Sequence, residues 1–168
     1  MVKCKPERNV RQVTVIMLSC VTAFIAISAA ACIIDAYKWF FELLLIVVSV
    51  AGIYVVYRFS MSEMEYEICD GVFTVYKTVG KKRTAVCALD LSTAITLIPK
   101  SESMQKLKTR ELPVINTRFN FDQNIRCDGA YVYICEFNGK TVAVEFEPNM
   151  IFVDAMLDEI GRSKNGEE

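Results

Sequence analysis

Nucleophilic and acid–base chemistry needs particular side chains, and this sequence is short of them. It contains no histidine, which closes the Ser/His/Asp and Cys/His routes. It carries no G-x-S-x-G, Walker-type or G-x-G-x-x-G string. Seven cysteines (Cys4, Cys20, Cys32, Cys69, Cys87, Cys127 and Cys135) form an odd set without a C-x-x-C, so the spacing indicates neither a disulfide framework nor a zinc module. Free thiols acting as small hydrophobes fit a reducing compartment. Asp154, Asp158 and Glu159 stand close together, but off the apolar stripe of the helix expected there, as a solvated face does. The one local concentration of positive charge is Lys77, Lys81, Lys82 and Arg83, with Lys100, Lys106, Lys108 and Arg110 following in the chain. Such a group can attract an anionic leaflet at about 1 kcal/mol per residue, or keep a strand edge from aggregating. No catalytic, metal or cofactor residues are assigned, and the chain reads as non-enzymatic.

The elements that hold these residues are legible from hydropathy. A chain of 168 residues with 53% hydrophobic residues and a mean hydropathy of +0.30 is too apolar for one soluble domain. The excess lies between Val13 and Phe59. Val13 to Ile34 is a run of 22 residues without a charge, and Trp39 to Phe59 holds only Glu42 and Arg58. Each is long enough to cross a hydrocarbon core of about 30 Å. A cleaved signal peptide, suggested by Ala29 to Ala31 before Cys32, is the lesser alternative, since the apolar run far exceeds the ~7–15 residues of such a segment. Asp35 to Lys38 leaves room only for a tight antiparallel hairpin. Lys3, Lys5, Arg8, Arg11 and Arg58 flank one side against Lys38 on the other. The positive-inside rule then puts both termini in the cytoplasm, in a multi-pass plasma-membrane protein. Glu42, one helical turn from Lys38, reads as a rim ion pair. Ser19, Ala23, Ala26, Ala30, Ser49 and Gly52 permit close helix packing and leave a homo-oligomer open.

The expected division is a basic amino end (1–12), a transmembrane hairpin (13–59, with spans 13–34 and 39–59), a water-facing domain (60–161) and a tail (162–168). Four Lys/Arg against one Glu make the first segment basic, while residues 60–168 carry thirteen basic against seventeen acidic side chains. An acidic domain lacks the cationic footprint of a nucleic-acid binder. Within it, Asp70-Gly71, Gly80-Lys81 and Asn138-Gly139 signal two-residue hairpin turns. They set Ile68 against Phe73, Tyr66 against Val75, Val75 against Val86, Phe73 against Ala88, Cys135 against Val142, Tyr133 against Val144 and Tyr131 against Phe146. Tyr76, Cys87, Val132 and Glu145 then face outward. Strands over Ala94–Ile98 and Val114–Phe119 bring the number to seven. Lys100 to Pro113 reads as a long loop. Asn149 caps a final helix with Ile151, Phe152, Ala155, Met156 and Ile160 on its apolar face and Gly161 as its stop.

The segments YEICDGVFTVYK (Tyr66 to Lys77), RTAVCALDLSTAITLIP (Arg83 to Pro99) and NGKTVAVEFEPNMIFVDAML (Asn138 to Leu157), placed behind a membrane hairpin, resemble the pleckstrin-homology-like (PH-like) domains of small bacterial membrane proteins. The resemblance implies an α+β membrane protein: two spans, then a seven-stranded antiparallel sandwich or barrel closed by a C-terminal helix. Phosphoinositide-binding members of the wider fold carry a basic first hairpin. Here the tip is Ile68-Cys69-Asp70-Gly71-Val72 beside Glu63, Glu65 and Glu67, so inositol-lipid recognition is not expected. The expected function is a membrane-anchored adaptor or scaffold that takes a protein partner in a groove or at a sheet edge. The alternative is an anionic-lipid or envelope-stress sensor using the Lys77/Lys81/Lys82/Arg83 turn.

Overall fold

The computed structural model describes residues 1–34, 37–109, 112–127 and 129–165. It divides the chain into two compact units: Asn9–Ser62, and Met1–Arg8 together with Glu63–Glu168.

The helical unit holds α1 (Val10–Ile33) and α2 (Lys38–Val55), the latter continuing through a wide π-type turn over Val56–Met61. Asn9 caps α1, its Oδ1 accepting from the Gln12 amide at 3.2 Å. Both helices are long and apolar enough to cross a membrane. Their apolar side chains point outward, with Leu18, Ile46 and Ile53 all more than 60% exposed. The two helices pack against each other: a Cβ on Gly52 would meet that of Cys20 at 4.0 Å. Ser19 and Ser49 satisfy their hydroxyls within their own helices, on the Ile16 and Leu45 carbonyls. Among the described residues no ion pair joins Lys38 to Glu42. Of the expected hairpin loop, Asp35 and Ala36 lie outside the described residues.

The second unit is an α+β sandwich of two four-stranded sheets. One has the order β1 (Val2–Cys4), β2 (Ser62–Cys69), β3 (Val72–Val79), β4 (Lys82–Asp90). The other runs β5 (Ala94–Pro99), β7 (Tyr131–Phe137), β8 (Lys140–Phe146), β6 (Thr117–Asn120). The described residues thus hold eight strands rather than seven, and β6 runs parallel to β8. The additional strand is the basic amino end. Val2 pairs with Ile68 and Cys4 with Tyr66, while Lys3, between them, points the other way to Glu65 and Glu67. This alternation puts Cys4 into the core and the lysine onto the acidic outer face.

Turn chemistry explains the hairpins. Asp70-Gly71 and Asn138-Gly139 both take positive φ at each central residue, as a type I′ turn requires, whereas at the second turn Gly80 supplies the positive φ. The third hairpin has the expected register, with Cys135 opposite Val142, Tyr133 opposite Val144 and Tyr131 opposite Phe146. The second departs from expectation. Tyr76 still faces Ala85, but a bulge follows, so Val75 meets Cys87 and Phe73 meets Leu89. Val86 is the extra residue and stays 42% exposed, while Cys87 turns toward the core.

The main core lies between the sheets. Tyr66, Phe73, Tyr133, Phe146 and Phe152 meet there at edge-to-face and tilted angles, Phe73 and Phe146 at 4.9 Å between centroids. The Tyr66 hydroxyl donates to the Phe121 carbonyl and accepts from the Glu147 amide. The helix α4 (Met150–Asn165) covers this core, capped by Asn149, whose Oδ1 accepts from the Phe152 amide at 2.9 Å. Its buried face is Phe152, Val153, Met156 and Ile160; Ile151, expected there, is 75% exposed. Gly161 does not end the helix.

A second, smaller core covers the far side of the β5-β7-β8-β6 sheet. The segment expected as a loop begins with a helix, α3 (Lys100–Lys108), and Leu112 and Ile115 beyond it pack on Ile98, Val132, Ile134 and Ala143. Val132 and Glu145, expected outside, are therefore 1% and 5% exposed.

Candidate interaction surface

The basic turn is only partly available to a partner. Arg83 Nη2 lies 3.0 Å from Glu65 Oε1 and 3.1 Å from Glu67 Oε2, and its guanidinium carbon is 3.7 Å from the Tyr76 ring centroid. Lys3 shares both carboxylates. Partial burial works against the Glu67 charge, but Lys3 and Arg83 together hold its carboxyl below the usual glutamate range. Lys81 and Lys82 are exposed at the tip, and Lys77 is half-buried on β3 opposite Thr84. Of the later cations, the Lys108 side chain lies outside what is described. Lys106 pairs with Glu102 along α3 at 3.3 Å, Lys100 turns into the protein, and Arg110 lies outside the described residues.

Lys100 enters a charge cluster that sequence reasoning missed. Its Nζ lies 2.7 Å from Asp122 Oδ2 and 2.6 Å from Glu145 Oε2. Arg118 Nε bonds Glu145 Oε1, and Asn120 Nδ2 donates to both carboxylates at 3.1 and 3.2 Å. Both carboxylates are nearly sealed, while the cations are about one-third exposed. Burial pushes the Asp122 carboxyl up and outweighs Lys100, with the neighbouring Glu145 charge adding to the rise. Burial also opposes ionised Glu145, but Lys100 and Arg118 outweigh it and hold that carboxyl below its usual range. The cluster seats α3 and β6 on the sheet. Its signal in the sequence was Val132, Ile134 and Ala143: an apolar second face on β7 and β8 implies a second covering layer.

Burial pushes the Cys4 and Cys135 thiols up, and Cys87 to about 11, which disfavours the nucleophilic thiolate. Asp154 and Asp158 are exposed on α4. Among the described residues no three His, Cys, Asp or Glu side chains gather as a metal site.

What the domain does present is edges. The β4 edge is long and exposed, but Lys82, Arg83 and the bulge at Val86 guard its first half. The β6 edge differs. All four of its residues are exposed and, among the described residues, it pairs with β8 alone. A groove of about 800 Å³ lies beside it, lined by Leu107, Leu112, Pro113, Val114, Ile115 and Arg118. Val114 is 84% exposed and Phe119 43%. Asn116 closes its inner end, exchanging hydrogen bonds with the Thr141 backbone.

Comparison with curated proteins and with solved structures gives no match. A family model described as bacterial PH-like domain (DUF6106) matches residues 1–164, a range that takes in the amino-terminal strand, both apolar helices, the two sheets and all but the last residue of α4. With that coverage, the chain belongs to the bacterial PH-like domain family.

Proposed function

We propose that this protein is a non-catalytic interaction module anchored in the plasma membrane by α1 and α2, with its sandwich in the cytoplasm. It receives an extended protein segment along β6. The observation that carries this reading is the pairing of an exposed edge strand with a groove directly beside it that is lined mainly by apolar residues, with Asn116 and Arg118 among them. Added strands gain main-chain hydrogen bonds from an edge, while alternate side chains find pockets. The anchor is supported by the two long apolar helices with outward apolar faces, and the cytoplasmic side by the excess of Lys and Arg flanking them.

The test is site-specific photo-crosslinking in native membranes, with the probe at Val114 or Phe119 and, as a control, at Ile95 on β5. One recurrent protein captured from Val114 and Phe119 but not Ile95 is the expected result. Self-links only, or the same capture from all three, overturns it.

A second reading has an observation in its favour. β2 and β3 are each eight residues long and joined by a two-residue turn, so the Gly80-Lys81 turn lies at the end of the sheet where β2 begins, directly after the helical unit. This supports contact of Lys81 and Lys82 with anionic lipid, as a lipid or envelope-stress sensor would use. Reversing both to Glu should then abolish salt-sensitive binding to anionic vesicles.

A further inference from the structure

The chain passes between its two units at Arg8/Asn9 and again at Ser62/Glu63, and the two crossing points are bridged: Lys5 and Arg8 both pair with Glu63, at 2.8 and 3.1 Å. A loop from the far end of the sequence is strapped between them. Asn124 Nδ2 donates to the Glu7 carbonyl at 2.8 Å, and Gln123 Oε1 accepts from the Met64 amide at 2.7 Å. Asn124 also holds Glu147, through its amide at 3.2 Å and its Nδ2 at 2.7 Å. Glu147 leads into α4, and the Asn149 amide donates to the Cys4 Sγ at 3.3 Å. Two buried polar residues, Gln123 and Asn124, thus hold the 121–127 loop and the start of α4 at the end of the sandwich where the chain leaves for its helices.

The apolar side chains at that end are exposed: Ile125 is 37% exposed, Met150 63% and Ile151 75%, with Arg126 beside them on the surface. Burial in water-soluble packing does not explain them, because α4 turns Phe152, Val153, Met156 and Ile160 to the core and leaves Met150 and Ile151 out. Glu7, strapped to Asn124, is two residues from Asn9, at most about 7 Å of chain, and Asn9 caps α1.

We propose that Ile125, Met150 and Ile151 form a membrane-contact surface. They sink into the boundary between headgroups and acyl chains of the bilayer that α1 and α2 cross, with Arg126 and Lys5 at headgroup level. Exposed aliphatic side chains rimmed by cations are the composition of interfacial lipid contacts. The proposal rests on α1 and α2 being membrane spans. It assigns the domain a second attachment, formed by apolar insertion and distinct from the basic Lys81/Lys82 tip.

The full-length protein is placed in phosphatidylcholine/phosphatidylglycerol vesicles with brominated acyl chains, and tryptophan emission is compared with that in unbrominated vesicles. The native Trp39, at the start of α2, tests the spans themselves. In a Trp39→Phe background, Ile151→Trp and Ile125→Trp test the surface. Phe137→Trp is the control, at the opposite end of β7 from Tyr131, whose hydroxyl donates to the Met150 Sδ. All three sites are at least one-third exposed, and circular dichroism of each variant verifies folding. The expected result is quenching of Trp39 and of tryptophan at 151 and 125, with emission at 137 unchanged. If Trp39 is quenched while 151 and 125 behave like 137, the surface is refuted and the spans stand. An unquenched Trp39 removes the spans and the surface together. Quenching at all sites, 137 included, also overturns the assignment, since no particular face would then be seated.

Discussion

The guanidinium of Arg83 stacks on the ring of Tyr76, 3.7 Å from its centroid, while the same group bonds Glu65 and Glu67. Arg83 is therefore a structural cation on the acidic outer face of β2. Arg83→Glu adds a carboxylate to those of Glu63, Glu65 and Glu67 on that face and removes the stack, and should destabilise the domain by about 1–2 kcal/mol. Lys81→Glu and Lys82→Glu, at the exposed tip, should stay within about 0.5 kcal/mol. Thermal unfolding of the full chain in detergent, followed by circular dichroism, compares the three. Equal loss from all of them would contradict the assignment.

Glu145 and Asp122 share Lys100 but titrate in opposite senses. Glu145 is held below its unfolded value, so its contribution to stability is present above the unfolded pKa and disappears as pH falls through the lower folded one. Asp122 is raised, so its ionised form works against folding at neutral pH, and that penalty is relieved as pH drops through its folded pKa. Glu145→Gln should cost about 2 kcal/mol at neutral pH, below the 3–5 of a fully buried pair because Lys100 and Arg118 reach water. Asp122→Asn should cost clearly less. The Glu145→Gln deficit should shrink in acid, below the ordinary glutamate range, and unfolding midpoints against pH will reveal whether it does.

Phe152 and Ile151 are neighbours with opposite surroundings, the one sealed among Tyr66, Phe73 and Phe146, the other 75% exposed. Phe152→Ala should cost about 3–5 kcal/mol. Ile151→Ala should leave thermal stability within about 0.5 kcal/mol. Denaturation midpoints of the two variants will separate them, and a large loss from Ile151→Ala would mean that the helix packs on its other face.

Cys87 sits against the core beside the Val86 bulge, where burial raises its thiol to about 11. Far below that value the thiolate fraction is tiny, so maleimide labelling of a single-cysteine variant retaining Cys87 should be slow and rise about tenfold for each unit of pH near neutrality. A rate that is fast and flat with pH would show an accessible, ordinary thiol instead.

Much of the fold was legible because its turns are chemically explicit. Asp70-Gly71 and Asn138-Gly139 fixed two hairpins, and the alternation Tyr131/Tyr133/Cys135 against Val142/Val144/Phe146 gave a register that the structure repeats. The β3–β4 register slipped because a bulge leaves no mark in composition; Val86 is as apolar as the residues it interrupts. β1 was hidden for a different reason. Three residues carry too little periodicity to announce a strand, and the cations around Cys4 read as a membrane flank. The charge cluster escaped because Lys100, Arg118, Asp122 and Glu145 become neighbours only through β6 lying parallel to β8, a pairing no short turn encodes. The groove beside β6 shared that fate, since α3 and the residues after it were expected to be loop.

Because β1 precedes α1 in the chain, it leaves the ribosome before every element it packs against and is among the last to find its place. Cys4 is 145 positions from its hydrogen-bond partner Asn149, so this end must wait until both helices and both sheets have been made. With α1 and α2 spanning the bilayer as proposed, the delay doubles as a check on insertion. A chain in which only one of the two helices crosses strands Val2–Cys4 on the opposite side from β2, leaving that strand with a naked edge and one flank of the core open. Only a chain whose two flanks emerge on the same side can complete the sandwich, and a misthreaded copy would carry the sticky edge that cellular proteases recognise.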